Sequence, residues 1–265
     1  MIVIGEKINA TRKAVREMIE ARREDQLVDL ARRQAEAGAS YIDVNVGTGR
    51  GTAKDEIAAM SWAVTLLNEA VEKPLCIDSA DPEVMAAGLE ARKGRPAMIN
   101  STKADDHLDP VLALAERFQA PVVALAMDEA GIPKTVEGRL KACARIAEAC
   151  NSHQVPLASV FFDPLVLPVA TDGSQGRVTL DTVRAIRETY PAAHITMGLS
   201  NVSFGLPGRA FLNAAFLQMA VYAGLDAAIL DPMNEQMMQA ARTAEALMGK
   251  DRHFRKYSRA FRKKS

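Results

Sequence analysis

The chain has 265 residues, 48% of them hydrophobic, enough to bury the core of one large domain. Its 33 basic and 33 acidic residues cancel, which removes the long-range attraction to phosphate that a nucleic-acid or anionic-membrane binder carries. A small-molecule or protein partner is expected, and the opening MIVIGEK, with no basic segment ahead of an apolar run, leads to the expectation of a cytoplasmic protein.

In chain order, short apolar, β-branched runs alternate with longer amphipathic stretches, the pattern of parallel strands covered by helices. The predicted strands are residues 2–8, 41–46, 74–79, 97–102, 121–127, 158–163, 194–199 and 227–231. Leu27, Leu30, Ala31 and Ala35 recur at helical spacing after the first strand, and Phe211, Ala215, Phe216 and Met219 after the seventh, so each set is expected to face the core. Asp81-Pro82 and Asp109-Pro110 read as capping acids followed by a proline in the first helical position. Eight βα units in this length predict an α/β fold, a (β/α)8 TIM barrel, with an open doubly wound sheet as the alternative. Residues 1–249 are read as the barrel and 250–265 as a basic, solvated tail. Residues 164–179, which include TDGSQG, form the longest irregular stretch and are expected to act as a mobile lid.

Cys143 and Cys150 are seven apart in a helical segment, about 10 Å along the axis and too far for a disulfide. With Cys76 they read as reduced core residues. His107, His153, His194 and His253 fall in separate segments without metal-ligand spacing, so no metal is expected.

Polar residues gather where the predicted strands end: Glu6 and Asn9, Asp43 and Asn45, Asp78, Asn100, Asp163, Asn201 and Asp231. In a barrel these positions converge on one mouth, where active sites are built. Asp and Asn also cap helices and make turns, and that reading is preferred for Asp81, Asp109 and Asp231. Asp78, Asn100 and Asp163 are the functional candidates. An ionised Asp only accepts hydrogen bonds while Asn both donates and accepts, which suits a 2-amino-4-oxo pyrimidine ring with its adjacent N–H and amino groups. Phosphate would call for a glycine-rich turn or clustered Arg and Lys, and neither is present at these strand ends.

At these residues the chain resembles the pterin-binding methyltransferases, within them the methyltetrahydrofolate:corrinoid/iron-sulfur protein methyltransferases. The likeness lies in GEKIN (5–9), DVNVG (43–47), IDS (77–79), INSTK (99–103), DPLVLPV (163–169) and GLSNVSFGLPGR (198–209). The resemblance implies that Asp78, Asn100 and Asp163 hold the pterin ring of tetrahydrofolate or 5-methyltetrahydrofolate, with Glu6, Asp43 and Asn45 in the same site. It implies too that Asn201 hydrogen-bonds near N5, that Ser200 and Arg209 line the pocket, and that Asp163 and Asn201 serve catalysis. A separate corrinoid protein as the methyl partner and a homodimer follow from the same resemblance. Dihydropteroate synthase-like C–N bond formation and a non-catalytic pterin-binding module are the alternatives.

Overall fold

Segments rich in Val, Ile and Phe prefer a pleated surface to a helix, and here they form eight strands. The computed structural model describes residues 1–262. Its strands are β1 (Ile2–Asn9), β2 (Tyr41–Asn45), β3 (Leu75–Asp78), β4 (Ala97–Ala104), β5 (Val122–Asp128), β6 (Val160–Asp163), β7 (His194–Ile195) and β8 (Ala227–Leu230). Consecutive strands from β1 to β7 pair in parallel, and β8 pairs with β1. The ring closes through backbone bonds from Ile229 N–H to Met197 O at 3.0 Å and from Asp226 N–H to Ile195 O at 3.4 Å. The predicted barrel is therefore the fold. β7 is shorter than expected because the chain winds into a 3-10 turn at Leu199–Ser203 instead of extending.

Ten helices among the described residues surround the strands: α1 (Lys13–Glu20), α2 (Glu24–Glu36), α3 (Ala53–Ala70), α4 (Pro82–Ala91), α5 (Leu108–Phe118), α6 (Val136–Ser152), α7 (Gln175–Thr189), α8 (Arg209–Ala223), α9 (Glu235–Leu247) and α10 (Arg255–Arg262). None is long and apolar enough to cross a membrane. Asp81 caps α4 as expected, accepting from Glu83 N–H at 2.8 Å with Pro82 following. Asp109 does not cap α5. That helix begins two residues earlier, after His107, and the Asp109 carboxylate meets His153 Nε2 at 2.9 Å.

Leu27 and Ala31 of α2 are buried as their spacing requires, with Leu30 and Ala35 packed against the core. On α8 the spacing misleads: Phe216 is buried, but Phe211, Ala215 and Met219 face outward. This helix (RAFLNAAFLQMAVYA) is apolar on nearly every side, so periodicity had no contrast from which to choose a face. All three cysteines are buried and unpaired.

The basic tail does not simply trail into solvent. Buried Asp251 accepts from Lys256 N–H at 3.1 Å and Tyr257 N–H at 2.8 Å, starting α10, and the Tyr257 ring stacks near Phe261 with centroids 4.5 Å apart. Residues 263–265 lie outside the described part. The end of α9 is tied to the start of β1 by an ion pair between the Met1 ammonium and Glu245, and α10 packs against α9.

Helices lie close on the barrel where small residues allow it. A Cβ at Gly88 of α4 would stand 2.7 Å from Ile77 Cγ2 and 3.0 Å from Met60 Cγ, so α4 needs glycine there to seat on β3. Gly88→Ala is expected to destabilise the fold by about 1–3 kcal/mol through overpacking, read as a lower urea midpoint with an unchanged slope.

Candidate active site

Side chains alternate along a strand, so every second residue enters the barrel. The interior floor is apolar, built from Ile4, Cys76, Met98, Val123, Phe161 and Ala227. Above it, toward the carboxyl ends, the same alternation brings in Glu6, Asp43, Asn45, Asp78, Asn100 and Asp163. The strand register sets Asn45 beside Asp78 and Asp78 beside Asn100.

These side chains bond to one another. Asn45 Nδ2 donates to Asp78 Oδ2 at 3.0 Å, Asn100 Nδ2 donates to Asp43 Oδ1 at 3.2 Å, and the Asp43 and Asp78 carboxyls share a hydrogen bond. Burial, reinforced by the Asp78 charge, pushes Asp43 well above the usual carboxylate range. Burial raises Asp78 less, because hydrogen bonds from Asn45 and Asp43 favour its charged form. Burial therefore favours the protonated form of Asp43 more strongly than that of Asp78. Asp43 lies fully beneath the mouth while Asp78 reaches it. Ser79, next along β3, donates to Glu56 Oε1 at 3.2 Å.

Across the barrel, Asp163 is buried at the end of β6 and accepts from Leu165 N–H at 2.7 Å and from Gly198 N–H. Burial lifts it to about 6, while those N–H donors and the nearby Arg139 charge hold it down. Arg139, reaching from α6, ties together the two ends of the expected lid segment: it bonds Leu165 O at 3.1 Å, Thr179 Oγ1 at 3.2 Å and Gln175 Oε1 at 3.1 Å. Residues from Gln175 onward belong to α7, so only the first part of that stretch is irregular.

The remaining candidates sit on the rim. Asn201 is exposed on the turn after β7. Arg209, at the start of α8, braces that turn, donating from Nη2 to Ser200 O at 2.8 Å and from Nε to Ser203 Oγ at 3.0 Å. Burial raises Glu6, which pairs with Arg12 Nη2 at 3.1 Å. Asp231 and Asn9 are turn residues: Asp231 accepts from Met233 N–H at 3.0 Å and pairs with Lys7, and Asn9 accepts from Thr11 N–H at 3.0 Å. A cavity of about 330 Å³ beside the mouth is lined by Ile19, Val46, Arg50 and Glu56 among others, and none of Asp78, Asn100 or Asp163 lines it.

Motif reading missed the apolar side of the mouth. Half-buried Leu125 and Met127 on β5 alternate with core-facing Ala124 and Ala126, a signal present in the sequence but indistinguishable from ordinary core. It also missed Arg139, one polar residue on a helix of ordinary composition.

The chain matches the family described as pterin binding enzyme over residues 5–231. It belongs to that family. It is 39% identical over 265 residues to the methylcorrinoid:tetrahydrofolate methyltransferase of Eubacterium limosum, covering 99% of this chain and 96% of that one. It is 33% identical to part of the methionine synthase of Mycobacterium tuberculosis, a match covering 88% of this chain and 21% of that protein. Among solved structures, the dihydropteroate synthase of Vibrio fischeri superposes with a TM-score of 0.72 at 16% identity, covering 94% of this chain and 93% of that one. A dihydropteroate synthase of Yersinia pestis, solved with a pterine-sulfa conjugate, gives 0.69 at 17% identity over 94% and 93% of the two chains. At that identity the likeness is one of fold. The pterin-binding family thus contributes the barrel, and this member fills its mouth with the carboxyl and amide groups described above.

An asparagine copies a protonated Asp43, donating to Asp78 and accepting from Asn100. Asp43→Asn is expected to be at least as stable as the wild-type protein at pH 7, whereas Asp43→Ala loses about 2–4 kcal/mol from the cavity and the stranded Asn100 amide. Because the folded-state value of Asp43 lies above the unfolded one, its contribution is full at acid pH and lost as the pH rises through the folded value. Thermal melts taken from about pH 4 upward should therefore fall more steeply for the wild-type protein than for Asp43→Asn.

Proposed function

We propose that this protein moves a methyl group between a corrinoid carried by a separate protein and N5 of tetrahydrofolate, in the direction named for its Eubacterium limosum relative, from methylcorrinoid to folate. The observation that carries this reading is the set Asp78, Asn100 and Asp163 at the mouth of a barrel of the pterin-binding family. An ionised carboxylate accepts the ring N–H and the 2-amino group together, and both Asp78 and Asp163 offer that surface. Asn100 spends an amide hydrogen on Asp43, which fixes its plane and leaves its carbonyl oxygen free to accept from the ring. Asn45 and Asp43 hold Asp78 from below and stand behind the ring rather than against it. Leu125 and Met127 supply an apolar wall.

Asn201 acts at N5. A tertiary amine does not release its methyl unless the nitrogen gains a proton or a strong hydrogen bond, and the reverse transfer needs that nitrogen unprotonated. Asn201 does not titrate, so its amide donates a hydrogen bond that strengthens as charge develops and leaves proton exchange to water or a nearby acid. Ser200 and Arg209 set the turn that presents it. The corrinoid of the partner protein supplies the methyl-carrying metal, and this chain supplies orientation and electrostatics.

The homodimer implied by the family resemblance has a fitting surface on α8. Phe211 is 77% exposed, Met219 49% and Tyr222 70%, an uncharged stripe that a second copy would cover by packing helix on helix. Met219→Glu is expected to convert a dimer to a monomer in light scattering, and a wild-type protein that is monomeric at working concentration would remove the dimer.

Transfer is tested with methylcobalamin as donor and tetrahydrofolate as acceptor, following methyltetrahydrofolate formation. No product with bound tetrahydrofolate would overturn the methyltransferase reading. Asn201→Ala is expected to lower kcat by about 100-fold with the folate Kd little changed. Because Asp163 must be ionised to accept, folate affinity should be flat above pH 7 and fall as the pH drops through about 6, a dependence that calorimetry should find absent in Asp163→Asn.

A further inference from the structure

Arg139 is wholly buried, and among the described residues it forms no ion pair. Its guanidinium donates instead to neutral oxygens: Nε to Pro133 O at 3.0 Å, Nη1 to Leu165 O and Thr179 Oγ1, and Nη2 to Gln175 Oε1. A charge out of water is costly without a paired anion, and an apolar side chain of similar volume would fill the space without that cost. The position therefore asks for a reason beyond packing.

The reason lies one peptide away. Leu165 O accepts from Arg139 and from Thr179 Oγ1, while Leu165 N–H donates to Asp163 Oδ1 at 2.7 Å. Leu165 has φ 66°, a left-handed conformation unfavourable for a side chain of its kind, which persists where neighbours hold it. In that conformation its two peptide groups reach Asp163 on one side and the guanidinium on the other. The strand of hydrogen bonds runs Arg139, Leu165, Asp163. Gly138 helps to build it, since a Cβ there would stand 2.7 Å from Pro133 Cβ and push away the loop whose carbonyl receives Arg139 Nε.

We propose that Arg139 is a positioning residue for Asp163: it clamps the Leu165 peptide that aims the carboxylate into the mouth and sets a positive charge behind it. The consequence for pterin binding rests on the function proposed above; the effect on Asp163 itself does not. The titratable and charged groups around Asp163 are Arg139 and Cys143, both from α6, and burial pushes the Cys143 thiol to about 12, so it is neutral in the working range. Removing Arg139 leaves Asp163 with burial opposed only by the Leu165 and Gly198 N–H groups, which moves its ionisation to higher pH.

The test is a carbon-13 titration of the full-length protein with labelled aspartate, the Asp163 resonance assigned by its loss in Asp163→Asn. In Arg139→Met the midpoint should rise by about one pH unit or more from its wild-type value near 6. An unmoved midpoint in a protein with wild-type circular dichroism overturns the proposal, whether or not the mouth binds folate. Arg139→Lys keeps the charge and loses the fork, so it decides the question even if Arg139→Met fails to fold. Its midpoint should stay within about half a unit while methyltetrahydrofolate binds about tenfold more weakly, and Arg139→Gln should shift the midpoint as Arg139→Met does. Wild-type affinity in Arg139→Lys would also overturn the clamp. If the wild-type protein binds no methyltetrahydrofolate, the pterin reading fails, and the titration still decides what Arg139 does to Asp163.

Discussion

Carboxyl groups held out of water inside a barrel are the constraint on which the rest of this protein depends. Asp43, Asp78 and Asp163 all sit where burial disfavours their charge, and each is accommodated in a different way. Burial and the neighbouring Asp78 charge push Asp43 furthest toward its protonated, donating form. Asp78 is raised less because Asn45 and Asp43 hydrogen-bond to its charged form. Asp163 is supported by two backbone N–H groups and a buried guanidinium. The site is thus a graded set of carboxyl groups, with the one most strongly pushed toward its neutral form lying deepest.

Such a site works against stability, since ionising a buried carboxylate costs free energy that the fold must recover elsewhere. The recovery comes from the layer between helices and strands, where residues such as Leu27, Met60, Leu67, Met85 and Ile146 are fully enclosed. The interior of the barrel contributes little by comparison, being a small apolar floor beneath the polar mouth. Folding energy and chemistry are therefore separated in space. The outer layer holds the strands in register, and the register brings Asn45, Asp78 and Asn100 side by side.

The two ends of the barrel differ accordingly. Loops at the carboxyl ends are braced by internal hydrogen bonds, Arg209 to the turn that bears Asn201 and Arg139 to the segment after Asp163. At the other end the Met1–Glu245 ion pair ties α9 to the start of β1, and His194 and Arg187 both meet Asp226, linking β7 to β8 where the ladder is shortest.

The barrel, its strand positions and the polar residues at the strand ends were legible in the sequence because strands buried on both faces produce apolar runs of fixed length, and a polar residue that ends such a run is conspicuous. The β7 boundary, the Asp109 cap and the outward face of α8 were not, because a 3-10 turn, a two-residue shift of helix start and a helix apolar on nearly every side leave no periodic trace. How far burial raises Asp43 and Asp78 depends on depth in the barrel, and Arg139 matters only through neighbours from two other segments of the chain, Pro133 and Leu165 to Thr179. Local order of residues determined where each functional group enters the barrel; burial and cross-strand neighbours, which exist only once the ring has closed, decided its charge, its partners and its aim.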